Sequence, residues 1–193
     1  MRIPQTLLMS FTLCAGIFQA HAGPPLICHP YNIGSAQSLP WGENTSRNWD
    51  NPDPKYNTNQ LAADTLRILD GNAPILVRME TMRRAVIYGE KNHGAAAALV
   101  ATLKQRAAAE QSPALANFDY GYLVATLNQM QWLYKEDLTG GADGYQFVQK
   151  ALASNDSPDM HYAAAMIVAD RQHPHHADYE EHMKKAHGAA PTL

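Results

Sequence analysis

The chain has 193 residues, 46% of them hydrophobic and 17% charged, with two cysteines and a formal net charge of −3. That apolar content can build a core, which excludes a disordered charged tail. The charge is too small to neutralise a run of phosphates, so no nucleic-acid partner is expected, and two cysteines cannot staple a disulfide scaffold.

Residues 1–22 read as a secretory signal peptide. Arg2 supplies a positive n-region, and an apolar stretch runs from Leu7 to Phe18. This stretch falls short of the roughly 20 residues needed to span a bilayer. Ala20-His21-Ala22 fits an A-x-A cleavage site, leaving Gly23 as the mature terminus. Lipidation at Cys14 is disfavoured by the bulky Leu13 before it, and cleavage ahead of His21 is disfavoured by Phe18. The processed chain keeps Cys28 alone, so it cannot form an internal disulfide. No later apolar stretch approaches membrane-spanning length, and an exported, periplasmic or secreted protein is expected.

Residues 23–56 hold Pro24, Pro25, Pro30, Pro40, Pro52 and Pro54, together with Trp41 and Trp49. Prolines fix φ and remove donors, which predicts an extended, non-helical segment. Its apolar residues (Leu26, Ile27, Ile33 and Leu39) predict that it lies as an irregular strap across a helical body.

Residues 57–193 carry the helical period almost without pause. Leu61, Thr65 and Ile68 recur at helical spacing, with Gly71 as a stop signal. Ile75, Met79, Met82 and Val86 share one face, and an Ala-rich helix runs from about Gly94 to Glu110. Ser112-Pro113 reads as a cap and first-turn proline for a long helix reaching about Lys135. Its apolar stripe comprises Leu115, Phe118, Tyr122, Ala125, Gln129 and Trp132. Further helices are expected from Asp143 to Ser154, from Ser157-Pro158 to Asp170, and from beyond Pro174 to His187. No segment alternates with the period of a strand. The expected fold is all-α: about seven helices, starting near residues 58, 74, 93, 113, 143, 158 and 176, arranged in antiparallel hairpins.

Residues 143–187 carry a resemblance. The run His161-Tyr162-Ala163-Ala164-Ala165-Met166 is followed by a proline-containing turn and then by Tyr179, Met183 and Ala186 on one helical face. Together they resemble a tetratricopeptide-type helical pair. Gln149-Lys150-Ala151-Leu152 before Ser157-Pro158 resembles a repeat end, although the tryptophan and Leu-Gly pair of an early repeat are missing. The resemblance implies a repeat scaffold that takes a protein or peptide on a concave face.

Three constellations could carry chemistry. Cys28-His29 offers two zinc or copper ligands or a thiolate of depressed pKa, against the plainer reading of a cysteine anchoring the strap. The C-terminal histidines form a second group, with His173, His175 and His176 near one turn. Asp178 and His182, four apart, could share an ion with His175, and imidazole suits zinc, copper and nickel. The plainer reading is a solvated surface group that titrates near pH 6.5. The third group is polar residues inside apolar stripes. Asp119 and the Glu80–Arg84 face with Arg83 could form an acid/base pocket, although interhelical ion pairing is the expected outcome.

No H-E-x-x-H, G-x-S-x-G, G-x-x-x-x-G-K, G-x-G-x-x-G, C-x-x-C-H or paired C-x-x-C occurs. Asn44-Thr45-Ser46 has the form of a glycosylation sequon. These observations lead to an exported, non-enzymatic helical-repeat scaffold for a protein or peptide. Tyr120, Tyr122, Trp132 and Tyr162 are its candidate anchors, besides Tyr134 and Tyr145. The alternatives are a periplasmic metal-binding protein using Cys28, His29 and the C-terminal histidines, and a hydrolase or lyase centred on Asp119 and Glu80.

Overall fold

A computed structural model describes residues 23–42, 49–109 and 113–187. The signal-peptide segment, the sequon at Asn44 and the capping residue Ser112 lie outside them. The described residues are all-helical, with no strand. Eight α-helices occur among them: α1 Pro25–Cys28, α2 Leu61–Asp70, α3 Ile75–Gly89, α4 His93–Ala107, α5 Ala114–Tyr134, α6 Gly144–Ser154, α7 Pro158–Val168 and α8 Tyr179–His187. Short 3-10 turns at Thr58–Gln60 and His176–Asp178 lead into α2 and α8.

The helix starts follow local chemistry. Asn92 accepts from Ala95 N at the head of α4, Asp143 from Tyr145 N at α6, and Ser157 from Met160 N at α7, each meeting an otherwise orphaned donor. Pro158 sits within the first turn of α7, where its missing N–H costs nothing. Pro113 departs from expectation and itself occupies the position ahead of α5. At the end of α2 the chain stops at Gly71, but the left-handed residue is Asn72, with φ of 57°.

The Pro-rich segment also departs from expectation, for it contains the helical turn α1. Pro25 stands at its first position, and the amides of Ile27 and Cys28 both bond the Pro24 carbonyl, at 3.1 and 2.9 Å. This turn drives Leu26 and Ile27, both essentially fully buried, into the core. The Leu26 amide donates to Gln129 Oε1 on α5 at 2.8 Å.

Helix α5 is the centre of the molecule. Every residue from Phe118 to Leu127 is buried, and α5 packs against α1, α3, α4, α6 and α7. A helix enclosed on all sides has no polar face to show, in contrast to a surface helix with one apolar stripe. Its closest neighbour is α6. A Cβ on Gly121 would fall 2.6 Å from the Gly144 carbonyl oxygen, and one on Gly144 would fall 2.6 Å from Ala125 N. Backbones this close leave room only for hydrogen at both positions.

Helix α3 lies under residues 23–42 and 49–56. Arg83, fully buried, donates Nε and Nη2 to the two oxygens of Glu80, each at 2.8 Å, and Nη1 to the carbonyls of Ile27 and Trp49. Arg84 donates to Glu80 Oε1 at 2.7 Å and to the Leu39 carbonyl at 2.7 Å. The Tyr31 amide also bonds Glu80, and the Tyr88 hydroxyl donates to the Pro40 carbonyl. Both guanidiniums lie over the Trp41 ring, at 4.9 and 5.3 Å from its centre. A segment too rich in proline to satisfy its own backbone is thus satisfied by arginines from the helix beneath it.

Candidate functional site

A cavity of about 970 Å³ opens where residues 23–29 meet α5, α6 and the chain leaving α7. Gly23, Pro24, Pro25 and His29 form one wall, and Ala125, Asn128 and Gln129 form the floor. Asp143, Gly144 and Tyr145 form a second wall, and Asp170, Arg171, Gln172, His173 and Pro174 form the third. Helices α5 and α6 touch through Gly121, Ala125 and Gly144, and the small Ala125 and Gly144 line the cavity. The walls carry an arginine, two imidazoles and two carboxylates, so both signs of charge are present.

Tyr145 connects this cavity to a buried polar chain. Its hydroxyl donates to Asp178 Oδ2 at 2.8 Å, lies 2.8 Å from His182 Nε2, and accepts from the Gln149 amide. His182 Nδ1 lies 2.7 Å from Nδ1 of His161, whose Nε2 donates to Asp156 Oδ1 at 2.6 Å. The His175 ring is tilted against Tyr145 at 4.8 Å, and His175 Nε2 donates to Asp143 Oδ2 at 3.3 Å. Burial pushes His182 below the ordinary imidazole value, and the neighbouring His161 adds to the shift. Burial lowers His173 in the same way, with His175 contributing. It raises the Tyr145 phenol, and the Asp178 carboxylate reinforces that effect.

The expected histidine group is therefore divided. Asp178 and His182 do meet, but at the Tyr145 hydroxyl. His176 donates Nδ1–H to the Val168 carbonyl at 2.8 Å, which engages it in closing α7. His173 and His29 face the cavity. Among the described residues, no group of three or more His, Cys, Asp or Glu side chains is disposed to hold a metal ion. Cys28 packs directly on Gly23, and burial pushes its thiol up, the Arg83 charge pulling the other way. The depressed thiol, the alternative to a cysteine anchoring the strap, is not found: Cys28 is half-buried, and desolvation outweighs the nearby charge.

The aromatic anchors are redistributed as well. Tyr120 and Tyr122 are core residues and offer no surface to a partner. The Tyr122 hydroxyl meets that of Tyr31 at 2.9 Å, and Tyr162, half-buried, stands edge-on to the Tyr31 ring. Trp132 leaves the expected stripe and is 63% exposed, near the end of α5 where its neighbours turn to solvent. Asp119 and Glu80 do not share a site. Asp119 pairs with Arg78 at 2.6 Å, and Arg78 is also held by the carbonyls of Leu69 and Ala73. Burial pushes the Asp119 carboxyl up to about 6 against the pull of Arg78.

Gln149 and Asp156 are the site residues that sequence reasoning overlooks, and Tyr145 is expected only as an aromatic anchor. Tyr145 and Gln149 are four apart on α6 and so lie on one face. Nothing local indicates that this face meets α8. Among the described residues no helix is long and apolar enough to cross a membrane. No family model, curated protein or solved structure matches the chain.

Proposed function

We propose that this chain is an exported, non-enzymatic helical scaffold that takes a short peptide, or a loop of a protein partner, in the cavity beside Tyr145. The observation that carries the reading is the cavity itself. Its volume lies at the upper end of the range for ligand sites, about 300–1,000 Å³. Its walls suit an amide backbone: Asn128, Gln129 and Gln172 beside the charged Arg171 and Asp170. The tetratricopeptide-like pattern of residues 143–187 supports the same reading, and the cavity borders that stretch. A hydrolytic reading loses its centre, because Asp119 and Glu80 are sealed into ion pairs with no partner in common.

The test is selection of a random displayed peptide library on the chain beginning at Gly23, with recovered peptides titrated calorimetrically. Arg171→Ala and His173→Ala alter the wall without touching the core; the first should weaken binding at least about tenfold, the loss of one charged hydrogen bond, and the second about threefold, the loss of a neutral one. Peptides that bind both variants as tightly as the parent chain would overturn the cavity as the binding site. A library that yields no binder would overturn the scaffold reading.

A further inference from the structure

Helix α8 has one buried residue, His182; Tyr179, Met183 and Ala186 are half-buried and the rest of the helix is exposed. That one residue meets the α7 helix through His161, nitrogen to nitrogen, at 2.7 Å. From this geometry we infer that the His161–His182 pair is a proton-operated latch that holds α8 on the body at neutral pH and releases it in mild acid.

Proton counting carries the inference. His161 Nε2 must bear hydrogen, because it faces the Asp156 carboxylate. The inner Nδ1–Nδ1 contact is a hydrogen bond only if one nitrogen bears hydrogen and the other is bare. His182 Nε2 faces the Tyr145 hydroxyl and, at 3.1 Å, the Gln149 amide. With Tyr145 donating to Asp178, the Gln149 amide can serve both His182 Nε2 and the phenol oxygen, so the neutral chain is fully satisfied. A first added proton can settle on His182 Nε2 and donate to Tyr145. A second has only the inner contact left, where two N–H groups would oppose each other at hydrogen-bond distance. Docked, the pair holds at most one added proton; undocked, each ring can hold one.

The groups facing the pair come from every element around it. Asp156 precedes α7, Tyr145 and Gln149 come from α6, and Asp178 from the 3-10 turn. On α8 itself, Glu181 and Lys185 pair with each other at 2.8 Å. His182 also has its proton affinity reduced by burial and by His161. A base whose pKa is lowered by docking favours the docked state above the ordinary imidazole range near 6.5, and that advantage is lost as pH falls through and below it. A metal is the rival occupant of two facing imidazoles. Two nitrogens on one tetrahedral zinc ion stand about 3.3 Å apart, given bonds of about 2.0 Å, so the observed 2.7 Å favours a proton.

The experiment is amide hydrogen exchange of the chain beginning at Gly23 between pH 7.5 and 5, corrected for intrinsic exchange rates. At least one proton is taken up on opening, so the α8 opening constant should rise about tenfold per pH unit below 6.5 while α5 amides stay protected. His182→Gln should abolish that slope, and His161→Gln, which leaves the burial of His182 in place, should lessen it. A flat slope in the parent chain, or the same slope in either variant, would overturn the latch. If both variants leave α8 open at every pH, imidazole nitrogen-15 spectra of the parent chain decide. One protonated and one bare Nδ1 in the inner contact is expected, whereas two rings that titrate independently would overturn it. Retention of one zinc ion per chain with loss of the slope would also overturn it.

Discussion

Arg83 shows how a buried charge can act as a fastener. Its side chain has no exposed surface and spends its donors on Glu80 and on two carbonyls of the residues that cross α3. Without Arg83, Glu80 keeps only Arg84 and two carbonyls lose their donor; breaking a buried pair costs about 3–5 kcal/mol. Arg83→Met should therefore destabilise the chain by about that amount in urea unfolding, and Trp41 fluorescence should change, because the ring loses the guanidinium stacked on it. Burial works against the Glu80 charge, but Arg83 and Arg84 prevail and hold its carboxyl below the ordinary value. A carboxyl depressed on folding contributes stability that is present above its unfolded pKa of about 4.3 and is lost as pH falls through its folded value. Arg83→Met should flatten that acid limb of the stability profile. Gly121 makes the opposite point, since what matters there is absence. A methyl at this position meets backbone of α6 that cannot step aside, and Gly121→Ala should lower stability by about 1–3 kcal/mol in the same unfolding experiment.

At the scale of the element, the sequence is legible wherever structure is decided within a few residues. Starts expected near 58, 74, 93, 113, 143, 158 and 176 correspond to helical segments that begin at Thr58, Ile75, His93, Ala114, Gly144, Pro158 and His176. Asn, Asp, Ser and Pro act on their own neighbours, so these signals can be read without the fold. Helix α1 is missed because proline density was weighed across the segment, whereas a proline at the first helical position breaks nothing. Trp132 is misplaced for a different reason. On a helix enclosed by five others, the apolar face is not one stripe, and periodicity loses its meaning. The polar chain from Asp156 to Asp178 is illegible for a third reason. Its members come from α6, α7, α8 and two connections, and only tertiary packing joins them. A histidine count near the C-terminus finds His161 and His182, but not that they face each other.

Across the whole molecule, stability is unevenly distributed. Residues packed around α5 lie in a continuous core, while α8 lies at the periphery with His182 as its one buried residue. Peripheral elements with few buried apolar side chains open first, so the release of α8 need not disturb the cavity floor on α5. The two proposals can therefore be tested apart. Alanines at Arg171 and His173 report on the cavity wall, and glutamines at His161 and His182 report on α8.

The crossing of α3 by residues 23–42 and 49–56 also bears on the order in which the chain can assemble. The bonds that fix this segment reach far along the chain: 49 residues from Tyr31 to Glu80, 56 from Ile27 to Arg83, and 103 from Leu26 to Gln129. It is synthesised ahead of α3 and α5, so the side chains of Glu80, Arg83 and Gln129 that bond its backbone are made later. Contacts between distant parts of a chain form only after the loop between them has closed, and the entropy of closure must be met before the contact repays it. The helices, whose bonds are local, can form without it. The residues that cross α3 are thus made before the helices that hold them and find their place after those helices have formed.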